Sequence, residues 1–337
     1  MLLHNHSLKN YNTFGVDVKS KLFAEVKSEN DLLKIISDKN LKEEKKIILG
    51  GGSNILFTKN FDGLILKISI AGIKIIEEDE NNSLIEAGAG VVWDDLVSFC
   101  VQRNYGGIEN LTLIPGTVGA APIQNIGAYG HELADTFVSL NGIFLENLEQ
   151  KTFNKDQCGF SYRSSVFKEK LKNNFIVSSI RLLLSKKAKP NISYKSLQEY
   201  ISKNSIKNPR LKDISEAVAS IRRSKLPEPK LIGNAGSFFK NPVLINDEFN
   251  KIKSKYPDVV NFLSDGEKTK ISAGWLIEEC GWKGKRVGDV GTYPDHALVI
   301  CNFGNASGAE ILEFAMQIKE DVQDKFKITL QEEVNIL

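Results

Sequence analysis

The hydrophobic and polar positions in the first third of the chain predict strands, a helix and turns. A helix is predicted to begin near Ser28, because Glu29 and Asp31 occupy its first turn and apolar residues recur over 32–36. The segment KKIILG predicts a short strand that ends directly at a run of three glycines. Residues 55–68 predict a strand, an Asp-Gly turn and a second strand, and residues 73–88 predict a hairpin around Asn81-Asn82.

The rest of the chain alternates helical and strand patterns. The apolar spacing predicts helices at 92–103, 196–203, 211–223, 247–263, 272–280 and 308–324. The last of these follows a capping box formed by Ser307 and Glu310. Strands are predicted at 175–185 and 296–302. The segment LPEPK at 226–230 predicts a linker, because its two prolines stop a helix and stiffen the chain.

A run without any charged residue, NLTLIPGTVGAAPIQNIGAYG at 110–130, interrupts this pattern. Its four glycines and two prolines exclude a membrane helix and a single continuous strand. Glycine leaves backbone N–H groups uncovered, and such loops often surround a planar or phosphate-bearing cofactor. A buried set of turns within a β domain explains this run equally well.

A second glycine cluster, Gly50-Gly51-Gly52-Ser53-Asn54, favours the cofactor interpretation. A strand that ends in glycines presents free N–H groups, which is what a phosphate-binding turn needs. The cluster does not match G-x-G-x-x-G followed by a helix, so a nicotinamide-type Rossmann unit is disfavoured.

Composition excludes several classes of protein. A length of 337 residues predicts two or three domains, and 42% hydrophobic with 26% charged residues is ordinary for a globular protein. The net charge of +2 gives no reason to expect a nucleic-acid or membrane partner. The four cysteines form no C-x-x-C pair, so no metal site is expected. They are predicted to be buried or unreactive thiols in a reducing compartment, the cytoplasm. We also find no secretory signal and no apolar run that could span a membrane.

Several single residues could act in catalysis or ligand binding, and each of them also has a simpler explanation. Ser237 in GNAGSFFKNP lacks the G-x-S-x-G pattern of a hydrolase, so it is either a proton donor in a partly apolar pocket or a serine that caps a turn. Arg163 could stabilise an oxyanion or pair with a surface acid, and Glu333 alone indicates only an exposed strand residue. Lys225, Lys240 and Lys283 suit an anionic ligand such as a diphosphate, or are solvated surface.

Taken together, these segments resemble the UDP-N-acetylenolpyruvoylglucosamine reductases over nearly the whole chain. The matching segments, in chain order, are NTFGVD, ILGGGSNIL, IPGTVGAAPIQNIGAYG, YRSSVFK, GNAGSFFKNP, SAGWLIEECGWKG, HALVICN and the terminal EV. The resemblance implies an α+β protein with a two-subdomain FAD-binding fold of the vanillyl-alcohol-oxidase-like type and a C-terminal α+β substrate domain. The implied boundaries are 1–70 joined by 328–337, then 71–226, then 227–327.

The resemblance also implies functional residues. The implied catalytic residues are Arg163, Ser237 and Glu333. The implied UDP-sugar contacts are Tyr194, Lys225, Asn241 and Lys283, with Tyr194 in the tyrosine loop of the family's longer type. The implied FAD contacts are Gly50, Gly51, Gly52, Ser53, Asn54, Pro115, Gly116, Thr117, Gly119, Gln124, Asn125, Gly127, Ala128, Tyr129, Gly130 and Arg222. Gln331 and Glu332 replace the usual proline before the glutamate–valine pair, so the catalytic carboxyl could also be that of Glu332.

The implied reaction belongs to peptidoglycan precursor synthesis and has two half-reactions. NADPH transfers hydride to flavin N5, which then delivers it to the methylene carbon of the enolpyruvyl substrate. Arg163, always cationic, would stabilise the resulting enolate, and Ser237 would protonate it. Glu333 could polarise the same group only if it is protonated, which requires a desolvated site. No metal and no obligate protein partner are implied.

Two other functions remain open at this point. A flavin oxidase with the same FAD-binding fold would need the glycine loops but not the Ser237 segment or Glu333. A non-catalytic flavin or UDP-sugar-binding module would need no proton donor, and the joint presence of Arg163, Ser237 and Glu333 argues against it.

Overall fold

The computed structural model describes residues 1–262 and 266–337. Contacts within the chain divide it into two compact units. Unit 1 consists of Met1–His6, Ser20–Gly52 and Asp62–Ser224, and unit 2 consists of Ser7–Lys19, Ser53–Phe61 and Lys225–Leu337. Neither unit is a single stretch of sequence, because the N-terminal quarter of the chain contributes segments to both.

The described residues form strands and α-helices of ordinary length. The helices are α1 (Glu29–Ile36), α2 (Trp93–Gln102), α3 (Lys195–Lys203), α4 (Leu211–Lys225), α5 (Asn246–Lys255), α6 (Ala273–Glu279) and α7 (Gly308–Phe326). The strands are β1 (Leu2–Ser7), β2 (Lys19–Val26), β3 (Lys46–Leu49), β4 (Ile55–Leu56), β5 (Phe61–Ile68), β6 (Ile73–Glu78), β7 (Asn82–Gly88), β8 (Gly127–Ala128), β9 (His131–Glu132), β10 (Phe137–Phe144), β11 (Gln150–Asn154), β12 (Phe175–Ser185), β13 (Gly233–Ser237), β14 (Val243–Ile245), β15 (Asn261–Phe262), β16 (Lys268–Ile271), β17 (Arg286–Val287), β18 (Val290–Tyr293), β19 (His296–Asn302) and β20 (Asn335–Ile336).

Unit 1 contains two larger sheets that share one hydrophobic core. The first has the strand order β1-β2-β5-β3, in which β3 runs parallel to β5. The second has the order β11-β10-β12-β7-β6 with antiparallel neighbours. In β12, Ile180, Leu182 and Leu184 are buried while the residues between them are more exposed, as a half-buried strand requires. The predicted helix near Ser28 is confirmed as α1, and the Ser28 hydroxyl accepts a hydrogen bond from the Asp31 N–H at 3.1 Å.

Unit 2 is built around β19, whose residues from Ala297 to Asn302 are all buried. Its sheet has the order β13-β19-β18-β17, and a smaller sheet has the order β14-β16-β15. The predicted capping box is present at the start of α7, where Ser307 and Glu310 exchange side-chain and backbone hydrogen bonds. At the end of the chain, β20 pairs in parallel with β4, with Asn335 opposite Ile55.

The predicted turn at Asp62-Gly63 is wrong. Both residues lie inside β5, which runs without a break from Phe61 to Ile68. An Asp-Gly pair favours a hairpin only when the strands on either side pair with each other. Here β5 pairs with β2 and β3, so pairing with distant strands overrides the local turn preference.

The predicted helix at 247–263 is too long. Helix α5 ends at Lys255, two residues before Pro257, and Asn261–Phe262 form a strand instead. Proline has no backbone N–H and disfavours helical geometry in the residue before it, which explains the early stop. Residue 263, the predicted helix end, lies outside the described residues.

The four cysteines are free thiols, and three of them are buried, as predicted. Burial raises the pKa of the Cys100, Cys158 and Cys301 thiols to about 12, so these side chains are unreactive near neutral pH. Within residues 1–262 and 266–337, no group of three His, Cys, Asp or Glu side chains is arranged to hold a metal ion. The same residues include no helix that is both long and apolar enough to cross a membrane.

The three-domain division stays a prediction. Contacts group residues 328–337 with unit 2, and within that unit β20 pairs with β4, which belongs to the predicted first subdomain at 1–70.

Candidate functional site

The glycines that follow β3 lie against the uncharged run in unit 1. A Cβ atom on Gly50 would lie 2.6 Å from Thr117 Oγ1, and one on Gly51 would lie 2.9 Å from the Gly116 Cα. Gly52 adopts φ +66°, a conformation that glycine reaches without strain. Only residues without a side chain allow these two backbone segments to approach so closely.

The uncharged run consists of partly buried turns around a short 3₁₀ helix at Val118–Gln124. This geometry agrees with the simpler of the two interpretations, yet two polar atoms of the run argue for a ligand as well. The buried atoms Thr117 Oγ1 and Asn110 Oδ1 have no hydrogen-bond partner among the residues that the structure describes. Since buried polar atoms in native proteins are nearly always bonded, a cofactor with polar groups fits beside this run.

A hydrogen-bond network fixes the end of the run. Asn125 has φ +41°, and its Oδ1 accepts from the Ala134 N–H at 3.0 Å while its Nδ2 donates to Glu132 Oε2 at 2.7 Å. Asn110 Nδ2 donates to the carbonyls of Tyr129 at 2.9 Å and Asn191 at 3.0 Å. The β8–β9 hairpin is therefore held in place on both sides.

Arg222, in the last turns of α4, brings a cation to the same hairpin. Burial lowers the pKa of its guanidinium, the nearby Tyr129 and Asp94 raise it, and the positive charge of Arg163 lowers it further. A guanidinium nevertheless stays protonated at neutral pH. A partly buried arginine beside another cation is well suited to an anionic ligand such as a diphosphate.

Arg163 occupies a tight two-residue turn. Ser161 and Ser164 flank it and exchange two backbone hydrogen bonds of 3.1 Å each. The Arg163 backbone has φ +54°, and its Nη2 donates to the Gly127 carbonyl at 2.9 Å. The side chain is half-buried.

Tyr194 precedes α3 and packs edge-on against Tyr129, with ring centroids 5.2 Å apart. Its side chain remains 41% exposed, which leaves one side of the ring accessible. Burial raises the pKa of the Tyr129 phenol. The predicted tyrosine loop and the predicted FAD-binding run thus meet through two aromatic rings.

In unit 2, the end of the chain pairs with the segment that follows Ser237. The Glu333 N–H donates to the Phe238 carbonyl at 2.8 Å, and the Lys240 N–H donates to the Gln331 carbonyl at 2.8 Å. Ser237 is the last residue of β13 and lies opposite Val299 of β19. The structure therefore brings together two of the three predicted catalytic residues, although 96 positions of sequence separate them.

Glu332 and Glu333 differ in their surroundings. Glu332 Oε1 forms an ion pair with Lys319 Nζ of α7 at 2.7 Å, and both side chains are about one quarter exposed. The Glu333 carbonyl accepts from Asn54 Nδ2 at 3.2 Å, so Glu333 lies beside a predicted FAD contact. This arrangement supports Glu333 over Glu332 as the candidate carboxyl.

The predicted substrate contacts of unit 2 differ in their exposure and in their bonding partners. Lys225 is exposed, whereas Lys283 Nζ lies 2.8 Å from Glu278 Oε1 with both side chains well exposed. Asn241 Oδ1 accepts from the Ala273 N–H at 2.9 Å, so this side chain also holds the start of α6. An exposed ion pair such as Lys283–Glu278 is weak, and it would not prevent Lys283 from binding a diphosphate.

Two family models match the chain. A FAD binding domain model matches residues 20–144, and a UDP-N-acetylenolpyruvoylglucosamine reductase C-terminal domain model matches residues 227–337. The UDP-N-acetylenolpyruvoylglucosamine reductase of Flavobacterium johnsoniae is 47% identical over 334 residues, which cover 99% of this chain and 98% of the relative. The chain belongs to the UDP-N-acetylenolpyruvoylglucosamine reductase family.

Other similarities extend over the full length. The UDP-N-acetylenolpyruvoylglucosamine reductase of Amoebophilus asiaticus is 43% identical over 337 residues, with 100% of this chain and 99% of the relative covered. A crystal structure of UDP-N-acetylenolpyruvylglucosamine reductase from Thermus caldophilus superposes with a TM-score of 0.67 at 25% identity, covering 100% of this chain and 98% of that one. The predicted family, α+β fold class, FAD cofactor and reductase activity are therefore confirmed.

Membership in the reductase family does not test the individual site residues, whose roles stay predictions. The structure adds His296, which the sequence analysis assigned only to a buried strand. Burial lowers the pKa of its imidazole, and the positive charges of Lys225 and Lys283 lower it further. His296 therefore belongs to the electrostatic surroundings of two predicted diphosphate contacts. In the sequence, this role was indicated only by a histidine at the first position of an otherwise apolar strand.

Replacing Gly51 by alanine tests the cofactor cradle. The added Cβ would lie 2.9 Å from the Gly116 backbone, so one of the two segments must move. We expect Gly51→Ala to be purified with much less bound flavin, measured as the ratio of flavin to protein absorbance. In the control Gly274→Ala, the new Cβ lies at least 3.6 Å from other atoms, and full flavin content is expected. Equal flavin content in both variants would contradict the cradle.

Proposed function

We propose that this chain catalyses the NADPH-dependent reduction of UDP-N-acetylglucosamine enolpyruvate to UDP-N-acetylmuramate, with FAD as the bound cofactor. The reaction belongs to peptidoglycan precursor synthesis. Relatives of nearly equal length carry the name of this reductase. The observation that carries the proposal is the backbone pairing of Glu333 with Phe238, which places a carboxyl-bearing residue beside Ser237.

When bound, FAD accepts a hydride from NADPH and passes it to the substrate. The residues that would hold it in unit 1 are the glycines after β3, Thr117 and Asn110 through their unpartnered oxygens Oγ1 and Oδ1, and Arg222. Backbone N–H groups at a strand end and a fixed guanidinium both suit a diphosphate. In unit 2, Ser53 and Asn54 extend the same glycine motif.

Arg163 stabilises the negative charge that develops on the carboxylate-enolate of the substrate. A guanidinium is always cationic and presents a planar set of donors that matches a carboxylate. The Gly127 carbonyl orients one of its nitrogens before substrate arrives. Such preorganised charge is worth most at a site from which water is excluded.

Ser237 supplies the proton to the substrate carbon that is adjacent to the methylene carbon receiving the hydride. A serine hydroxyl is a weak acid, but a carbanion is a strong enough base to accept its proton. A neutral donor also avoids the cost of burying a second charge. General acid catalysis of this kind contributes about 10²–10⁴-fold to a rate. The carboxyl of Glu333, whose backbone bonds Phe238, would polarise the same enolate.

Lys225, Asn241, Lys283 and Tyr194 bind the UDP portion of the substrate. Two ammonium groups provide charge for the diphosphate, and the accessible side of the Tyr194 ring offers an aromatic surface. The natural ligand is a small molecule, with no nucleic acid, membrane or obligate protein partner required. Free thiols and the NADPH reductant fit a reducing compartment, so we assign the reaction to the cytoplasm.

The visible spectrum of the purified protein tests this function. A flavin band should be present, NADPH should bleach it under anaerobic conditions, and the enolpyruvyl UDP-sugar should restore it. Restoration by oxygen alone, with oxygen consumption on an alcohol substrate, would favour a flavin oxidase. A flavin band that NADPH does not bleach would indicate a non-catalytic binding module.

The role of Ser237 predicts a selective kinetic defect. Ser237→Ala should leave flavin reduction by NADPH nearly unchanged, because no proton donor is needed in that step. Reoxidation by the enolpyruvyl substrate should slow by roughly 10²–10⁴-fold, the usual contribution of a general acid. Stopped-flow absorbance measures both steps. The control Ser254→Ala removes a hydroxyl on α5 that donates to the Lys251 carbonyl within the same helix, and should behave as wild type. Normal reoxidation in Ser237→Ala would exclude this role.

Lysines 225 and 283 should contribute to substrate affinity alone. Lys225→Ala and Lys283→Ala should each weaken UDP-sugar binding by roughly 10- to 100-fold, as expected for the loss of one charge-assisted hydrogen bond. Flavin content should not change. Isothermal titration calorimetry of the holoenzyme measures the affinity, with Lys230→Ala as an exposed control. If either variant lost flavin while keeping substrate affinity, the assignment would be wrong.

A further inference from the structure

The turn that presents Arg163 requires support from outside itself. A positive φ of 54° is unfavourable for a residue with a Cβ atom, and it persists only where neighbouring contacts hold it. The two hydrogen bonds between Ser161 and Ser164 close the turn but do not fix its position relative to the rest of unit 1. Other contacts must do so.

Lys168 provides such a contact on the Arg163 backbone. Its half-buried ammonium donates to the Arg163 carbonyl at 3.3 Å and to Gln124 Oε1 at 3.2 Å. An ammonium group carries three donors, so one side chain can bind both oxygens at once. Lys168 therefore connects the Arg163 turn to the end of the 3₁₀ helix in the uncharged run.

The neighbouring residues connect the same two segments. Ser165 is buried and its hydroxyl donates to the Ile123 carbonyl at 2.7 Å. Asn125 Nδ2 lies 3.4 Å from the Ser161 carbonyl. The guanidinium end of Arg163 is bonded to the Gly127 carbonyl. The Arg163 carbonyl is therefore connected to Gln124 through Lys168, and the Arg163 guanidinium bonds the Gly127 carbonyl directly.

We propose that Lys168 is a positioning residue for Arg163. It holds the left-handed backbone of the turn against Gln124 and so directs the guanidinium at the substrate carboxylate. Lys168 acts through Arg163 and does not itself touch the reacting atoms. This inference rests on the proposed function, because it assigns Arg163 to the second half-reaction.

The experiment compares the two half-reactions in Lys168→Met holoenzyme. Flavin content and reduction by NADPH should stay within about 2-fold of wild type. Reoxidation by the enolpyruvyl UDP-sugar should slow by roughly 10- to 100-fold at saturating substrate, since small displacements of a catalytic group cost rates of this order. The substrate concentration that gives half of the maximal rate should change little. Lys168→Arg, which keeps the charge and the donors, should recover most of the rate.

A double-mutant cycle separates positioning from general destabilisation. In an Arg163→Ala background, Lys168→Met should change the reoxidation rate by less than about 2-fold, because the group it positions is absent. The control Lys170→Met removes the charge of an exposed lysine two residues further along the chain. Reoxidation and flavin content in this variant should match wild type.

Several outcomes would overturn the proposal. The first is an equal slowing of both half-reactions in Lys168→Met. The second is a reoxidation rate in Lys168→Met that equals that of wild type. The third is a reoxidation defect in the double mutant that equals the sum of the free-energy effects of Lys168→Met and Arg163→Ala. If Lys168→Met yields no folded holoenzyme, Lys168→Gln, which is polar but uncharged and too short to reach both oxygens, must show the same selective loss. A wild-type flavin that the UDP-sugar does not reoxidise would refute the proposed function itself, whereas normal wild-type turnover with an unaffected Lys168→Met refutes only the role of Lys168.

Discussion

The glycine-rich part of unit 1, where we propose that the cofactor binds, depends on the close approach of two backbone segments with no side chain between them. Gly51 comes so near to Gly116 that a Cβ would lie 2.9 Å from its Cα, and Gly50 faces Thr117 in the same manner. The buried Thr117 Oγ1 has no hydrogen-bond partner among the described residues, so it remains able to bond a ligand. An ordinary side chain at either glycine would separate the segments.

In unit 2 the corresponding constraint is the pairing of the last residues of the chain with earlier segments. Residues 331–333 pair with the backbone of Phe238–Lys240, and β20 continues as a parallel partner of β4. These contacts are backbone hydrogen bonds, and they hold Glu333 beside the residue that follows Ser237. The ion pair between Glu332 and Lys319 anchors the same segment to α7.

The two arginines of unit 1 show how the fold tolerates partly buried cations. Arg163 donates to the Gly127 carbonyl, and Arg222 interacts electrostatically with Tyr129 and Asp94. Burying positive charge is unfavourable without compensation, and these partners offset part of that cost. Partly buried guanidinium groups of this kind suit an anionic ligand.

Much of the local structure was predictable from the sequence, because its causes are local. The Ser28 cap of α1, the Ser307–Glu310 capping box of α7 and the apolar run of β19 each depend on residues within one or two turns of one another. The ordered motifs were specific enough to identify the family and the FAD cofactor. The turn expected at Asp62-Gly63 failed because strand pairing outside the segment decided its conformation.

Only the tertiary structure decided which distant residues meet. The contacts of Glu333 with Phe238, of Glu332 with Lys319 and of Lys168 with Gln124 join positions whose sequence neighbours carry no sign of the contact. Periodicity and capping report interactions within a few residues, whereas a site is assembled by strand pairing and loop docking across the chain. The sequence by itself determined the elements and the family, and the packing of those elements decided how the site residues are held.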